Sequence, residues 1–172
     1  MQYRFLFILM MLFSVKQSFA QETESNVTDQ FIITGKVKQE KTISLSDIQK
    51  FSSTILNDVN VSCSPKIENR VKEIKGVLLK NILDSVAFQY EKSRTLNQYY
   101  FLFVAKDGYK MVFSFNEIYN TEIGKNLFLV TEIEGKPLDQ MDNRIMVLTT
   151  KDIRGGSRNM KWLSKIVVGM AE

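Results

Sequence analysis

The chain has 172 residues, 44% hydrophobic and 24% charged, with a formal net charge of +4. It contains no histidine and a single cysteine, Cys63. This excludes Ser-His-Asp and Cys-His catalysis, histidine-based zinc sites, thiolate metal clusters and an internal disulfide. Charges of both signs are mixed along the chain, as on an ordinary solvated surface, and argue against nucleic acid as a partner.

Residues 1–20 read as a signal peptide. Arg4 supplies a positive start, residues 5–15 form an apolar run too short to span a bilayer, and Ser18-Phe19-Ala20 places small residues where a signal peptidase reads. Cleavage before Gln21 removes Arg4 and Lys16 and leaves residues 21–172, about one domain with enough chain to bury a core. The start holds a lone arginine and no twin-arginine pair. No later apolar run approaches membrane-spanning length, so the mature protein is expected to be periplasmic or secreted, without a membrane span. Residues 21–30 are polar and expected to be flexible, and the folded domain is expected over 31–172.

Residues 31–37 alternate as a strand, 38–41 turn, and Ser44 with Asp47 three positions on signals a short helix reaching Phe51. Residues 55–63 read as the next strand, ended by Pro65, and 70–74 as a half-exposed strand. Lys75-Gly76 then opens a predicted helix, with Val77, Leu78, Ile82, Leu83 and Val86 on one face and an end near Phe88. Residues 91–98 are polar and loop-like. An aromatic-rich strand over 99–105 turns at Lys106-Asp107-Gly108 and returns over 109–113. Ser114 and Glu117 form a second capping pair for a helix through about Tyr119. Strands over 127–133, 144–149 and 162–168 complete the set, separated by the Glu134-Gly135-Lys136-Pro137 turn and a loop over 151–159. No repeat, low-complexity segment or linker divides the chain. The expected class is α+β: a single domain of mixed, mostly antiparallel β-sheets with about three short helices.

Three places could carry chemistry. Cys63 sits where a strand gives way to a loop, a position at which a side chain is held firmly yet can reach a ligand. It is a metal ligand or redox-active thiol on one reading, and a small apolar residue packed at a strand end on the other. In Arg154-Gly155-Gly156-Ser157-Arg158, glycines can turn backbone N–H groups toward an anion while arginines add bidentate donors. The same run also suits an exposed loop. Lys161 could meet an anion or face water, and Trp162 is expected to anchor the final strand in the core. Tyr99, Tyr100, Phe101 and Phe103 are expected in the core or on the sheet surface.

The order of pieces carries a resemblance. Ile33-Thr34-Gly35-Lys36-Val37 precedes the Ser44-Leu45-Ser46-Asp47-Ile48 helix start, and a strand ending at Cys63 precedes Gly76-Val77-Leu78-Leu79. Asp107-Gly108-Tyr109, Glu134-Gly135-Lys136-Pro137-Leu138, Arg144-Ile145-Met146-Val147-Leu148 and Lys161-Trp162-Leu163-Ser164-Lys165-Ile166 follow in turn. Over residues 31–168 the chain resembles the oxidoreductase molybdopterin-binding domain family, the sulfite-oxidase-like fold. The resemblance implies Cys63 as a molybdenum ligand through its soft sulfur. It implies Gly155, Gly156, Ser157, Arg158 and Lys161 as contacts for the pterin and phosphate of molybdopterin.

Two functional readings follow, and whether the chain is an enzyme stays open. The first is a degenerate, non-catalytic binding or interaction module outside the cytoplasm, with no cofactor bound and a small-molecule or protein partner. The second is a minimal molybdopterin-dependent oxidoreductase with Cys63 on molybdenum and a redox partner for its electrons. The lone-arginine signal favours the first, because a chain exported unfolded arrives without a cofactor that is inserted during cytoplasmic folding.

Overall fold

The computed structural model describes residues 25–62, 64, 66–152 and 156–172. Period-two alternation of apolar residues builds its sheets. In β5 (Tyr99–Ala105), Tyr99, Phe101, Phe103 and Ala105 are buried while the residues between them are half-exposed. With β1 (Gln30–Gly35), β2 (Lys41–Ser44), β6 (Lys110–Ser114) and β10 (Leu163–Met170) it forms a five-stranded sheet in the order β2-β1-β10-β5-β6. In it β1 and β10 run parallel and the other neighbours antiparallel. The second sheet takes β3 (Ser53–Asn60), β4 (Arg70–Leu78), β7 (Leu127–Ile133) and β8 (Lys136–Pro137) in that order. Its β9 (Val147–Thr149) also pairs with β7, and its pairings are antiparallel.

One core joins the two sheets: Phe31, Phe101 and Phe113 from the first meet a cluster that includes Ile74, Leu129 and Val147 from the second. Three short α-helices sit among the described residues: α1 (Leu45–Ile48), α2 (Leu79–Leu83) and α3 (Phe115–Asn120). Both expected capping boxes are present, Ser44 with Asp47 at α1 and Ser114 with Glu117 at α3. Each satisfies N–H groups that a helix start leaves without partners. The class is therefore the expected mixed α+β single domain. No helix among the described residues is long and apolar enough to cross a membrane.

Several boundaries move, each for a local reason. The expected helix after Lys75-Gly76 is mostly strand, since Val77 and Leu78 pair with Leu129 and Phe128 of β7 and leave only Leu79–Leu83 helical. Gly76 permits that pairing, because a Cβ there would lie 3.0 Å from the Phe128 Cβ. β3 stops at Asn60 rather than 63. The Asn60 side-chain oxygen takes the N–H groups of Ser62 (3.0 Å) and Asn69 (3.1 Å) and turns the chain out of the sheet. The strand expected over 144–149 pairs only from Val147, and the Ile145 N–H goes to the Thr28 hydroxyl at 2.9 Å. Thr28 lies in the segment expected to be flexible, yet it is 7% exposed, and its own N–H and hydroxyl both donate to the Arg144 carbonyl. The last strand begins at Leu163. Trp162 has a φ of 57° and stays half-buried outside the core, donating its indole N–H to the Asp142 carbonyl at 2.7 Å. It pins a surface loop instead of anchoring the strand in the core.

Candidate functional site

Two loops that are far apart in sequence meet at the end of the second sheet. The first carries Ser62 and Ser64, on either side of Cys63. Ser62 is 8% exposed. Its hydroxyl donates to the Ser64 carbonyl and accepts from the Ser64 N–H, both at 3.0 Å, so the two serines close a local turn. The second loop, from Gly156 to Lys161, leads into β10. Asn159, 2% exposed, reaches from it with both ends of its amide. Nδ2 donates to the Ser62 carbonyl at 2.9 Å, and Oδ1 accepts the Thr149 N–H at 3.0 Å. One buried side chain therefore ties the Ser62 turn to the end of β9.

Gly156 completes the junction. Its φ is +94°, and a Cβ on it would stand 2.8 Å from the Ser62 carbonyl oxygen and 3.0 Å from the Ser64 nitrogen. Only glycine allows both the left-handed backbone and that approach. The Ser157 carbonyl accepts the Tyr109 hydroxyl at 2.5 Å, which ties the same loop to the β5–β6 hairpin.

Arg158 lies in a carboxylate pair. Its Nε and Nη2 bind Asp152 in a bidentate fork, and Nη1 donates to Glu117 Oε1 at 2.8 Å. The guanidinium also lies over the Phe113 ring, 4.6 Å from its centroid. Glu117 serves two masters, since its other oxygen, Oε2, accepts the Ser114 N–H of the capping box at 2.8 Å. Burial pushes the Glu117 carboxyl up, but the Ser114 N–H and the Arg158 guanidinium together outweigh it and hold the group below its ordinary value. The Asp152 carboxylate, against the opposing effect of burial, raises the Arg158 guanidinium further.

Lys161 remains exposed, with its ammonium 5.9 Å from the centroid of the Trp162 ring. The two residues line a cleft of about 290 Å³ with Asp107, Tyr109, Asn159 and Met160. A second cleft, of about 590 Å³, runs beside β3 and is bounded by Asn60, Arg70, Thr149 and Asp152 among others.

Of the expected contacts, the structure packs Gly156 against the Ser62–Ser64 turn, ties Ser157 to Tyr109, engages Arg158 with Asp152 and Glu117 and leaves Lys161 on the cleft beside Trp162. Cys63 and Gly155 lie outside the described residues, as do Arg154, Pro65 and the expected signal peptide. Asn159, Thr149 and Asp152 are central to the junction without having stood out in the sequence. A buried amide and an acid two turns of loop away leave no spacing signature. Glu117 was legible, but only as a helix cap.

This junction sits in the mixed α+β fold of two mostly antiparallel sheets that the sequence resemblance implies. Among solved structures the chain is similar to the crystal structure of the sulfane dehydrogenase SoxCD from Paracoccus pantotrophus. The TM-score is 0.55 at 11% identity, over 84% of this chain and 39% of that one. At that identity the likeness establishes the fold alone, and the chain spans well under half of that neighbour. No family model matches the sequence, and no curated protein matches it.

Proposed function

We propose that the chain is a non-catalytic binding module built on this fold and working outside the cytoplasm. The observation that carries the proposal is the state of Arg158. A pterin phosphate is dianionic and needs cationic donors that are not already committed. Arg158 gives three of its donors to Asp152 and Glu117, and the three charges together sum to a net negative. Gly156, another of the expected contacts, uses its backbone freedom to lie against Ser62 and Ser64. Of the residues that the resemblance implies and the structure describes, only Lys161 keeps an exposed cation on a cleft. That is a poor fit for molybdopterin.

A minimal molybdopterin-dependent oxidoreductase is the second reading. One observation favours it: Gly156 and Asn159 bring the C-terminal loop directly onto the residues flanking Cys63, which is the neighbourhood a cofactor ligand would need. Metal analysis of protein purified from its native cell envelope separates the two. The module reading expects no stoichiometric molybdenum and a melting temperature that Cys63→Ser leaves unchanged. Stoichiometric molybdenum that disappears in Cys63→Ser overturns it. N-terminal sequencing of the same material tests export, with Gln21 expected as the first residue.

A further inference from the structure

The five-stranded sheet has a second face, and its composition is selective. Reading across the strands by register, one row runs Thr42, Ile32, Lys165, Val104, Lys110, and the next runs Thr34, Val167, Leu102, Val112. Ile32, Leu102, Val104 and Val167 are half-buried and Val112 is 52% exposed. None of these five belongs to the core or packs against it. Their neighbours in sequence, such as Phe31, Phe101, Phe103 and Phe113, fill the core from the opposite face. The alternation therefore leaves β-branched and leucine side chains outward, where solvent exposure alone would favour polar ones.

Charge gives this face a sign. Lys110 and Lys165 stand on either side of Val104, and neither has an ion-pair partner among the described residues. Neither row contains a carboxylate. The lysine stems can lie along the apolar neighbours while the ammonium groups point outward. The result is an apolar run of Val167, Leu102 and Val112, flanked on one side by a row that carries two lysines without ion-pair partners among the described residues.

We propose that this outer face is the docking surface of the module, and that its occupant is a protein presenting an apolar patch bordered by carboxylates. This inference rests on the module reading above. A second copy of the chain is disfavoured, because a two-fold pairing would double the lysines and supply no acid. An anionic membrane is disfavoured as well. Adsorption of that kind calls for a cluster of about four to eight basic residues or a helix that buries its apolar side, and a sheet face with two lysines offers neither. From strand spacings the two rows and their borders cover on the order of 500 Å². That is less than the roughly 800 Å² each partner gives to a stable complex, so the expected association is transient and salt-sensitive.

The test is photocrosslinking in cells that make the full chain, with a benzophenone amino acid placed at Val112 and, as a control, at Ile67, which is 63% exposed on the loop after Cys63. The Val112 probe is expected to yield one adduct, with a different protein, through a peptide rich in Asp and Glu. The double variant Lys110→Glu/Lys165→Glu is expected to lower its yield at least about tenfold, since like charges set against each other cost one or more factors of ten in affinity. An unchanged melting temperature in that variant separates lost docking from lost folding. An adduct with the chain's own N-terminal residues, with a second copy or with lipid overturns the proposal. So does equal yield from Ile67, no adduct at all, or a yield indifferent to charge reversal. Molybdenum in the purified protein would overturn the module reading, whatever the crosslinks show.

Discussion

The side chain of Asn159 donates to the carbonyl of Ser62 across 97 positions of sequence, at 2.9 Å and out of contact with solvent. The same amide accepts the Thr149 N–H. Asn159→Ala removes these two interactions, and the Thr149 hydroxyl's bond to the same Oδ1, and leaves a buried N–H and a buried C=O without partners. Each orphan of that kind costs about 1–3 kcal/mol, so urea unfolding should show a loss of roughly 3 kcal/mol. A loss below about 0.5 kcal/mol, the scale of an ordinary surface substitution, would mean that the two loops do not depend on this amide.

Gly156 and Gly108 form a matched pair for separating strain from crowding. Both have positive φ, +94° and +88°, but a Cβ on Gly108 would meet nothing within 4 Å, whereas one on Gly156 would press into the Ser62 carbonyl. Alanine at 108 should cost only the left-handed penalty of about 1 kcal/mol. Alanine at 156 should cost that plus the displacement of the Ser62–Ser64 turn, at least about 2 kcal/mol in all. Equal losses in parallel melts would refute the close packing of the two loops.

Where local chemistry decides structure, the sequence was readable. Ser44–Asp47 and Ser114–Glu117 form their boxes within a few residues, and Asp107-Gly108 turns the hairpin by itself. Where a distant strand decides, it was not. Val77 and Leu78 fit a helix face as well as a buried strand, and only β7 settles the choice. The site divides in the same way. The Gly156–Lys161 loop could be picked out by its glycine and its cations, whereas Arg158 could be read as an anion contact only in ignorance of Asp152 and Glu117. Those carboxylates reach it through the fold: Glu117 is 41 positions away, and nothing in local sequence announces the pairing. Trp162 shows the converse error, since its size suggests the core although its positive φ turns it onto the surface.

Removing the Arg158 guanidinium should expose how far its charge is engaged. The Asp152 side chain is 6% exposed and Arg158 24%, so Arg158→Met strands a largely buried carboxylate. Full burial would cost about 3–5 kcal/mol, and with partial exposure roughly 2 kcal/mol is expected. Arg158→Lys should restore only part of this, because an ammonium cannot reproduce the bidentate fork. Full recovery in the lysine variant, measured by urea unfolding, would show that charge alone matters here.

The direction of the Glu117 shift fixes a pH dependence. Its folded value lies below the unfolded carboxylate value of about 4.3. The unfolded chain therefore binds the proton more readily, and this contribution to stability is complete above that value and lost as pH falls through the folded one. Glu117→Gln should be less stable than the parent at pH 7, and the gap should narrow as pH is lowered toward 3. Unfolding curves at a series of pH values give the answer, and a gap that stays constant would show that neither the Ser114 N–H nor the Arg158 guanidinium holds the Glu117 proton affinity down.

Trp162 is the sole tryptophan, so intrinsic fluorescence reports on one position. It is half-buried, held by its N–H to the Asp142 carbonyl, with the Lys161 ammonium near its ring at the mouth of a cleft. Native protein should therefore be quenched by acrylamide well before it unfolds, and iodide should quench it more strongly than caesium, because the Lys161 ammonium lies over its ring. Trp162→Phe deletes the indole N–H and leaves a carbonyl that water can reach, so it should cost no more than about 1 kcal/mol. A core tryptophan would behave in the opposite way on both counts: shielded from either quencher, and several kcal/mol less stable when truncated.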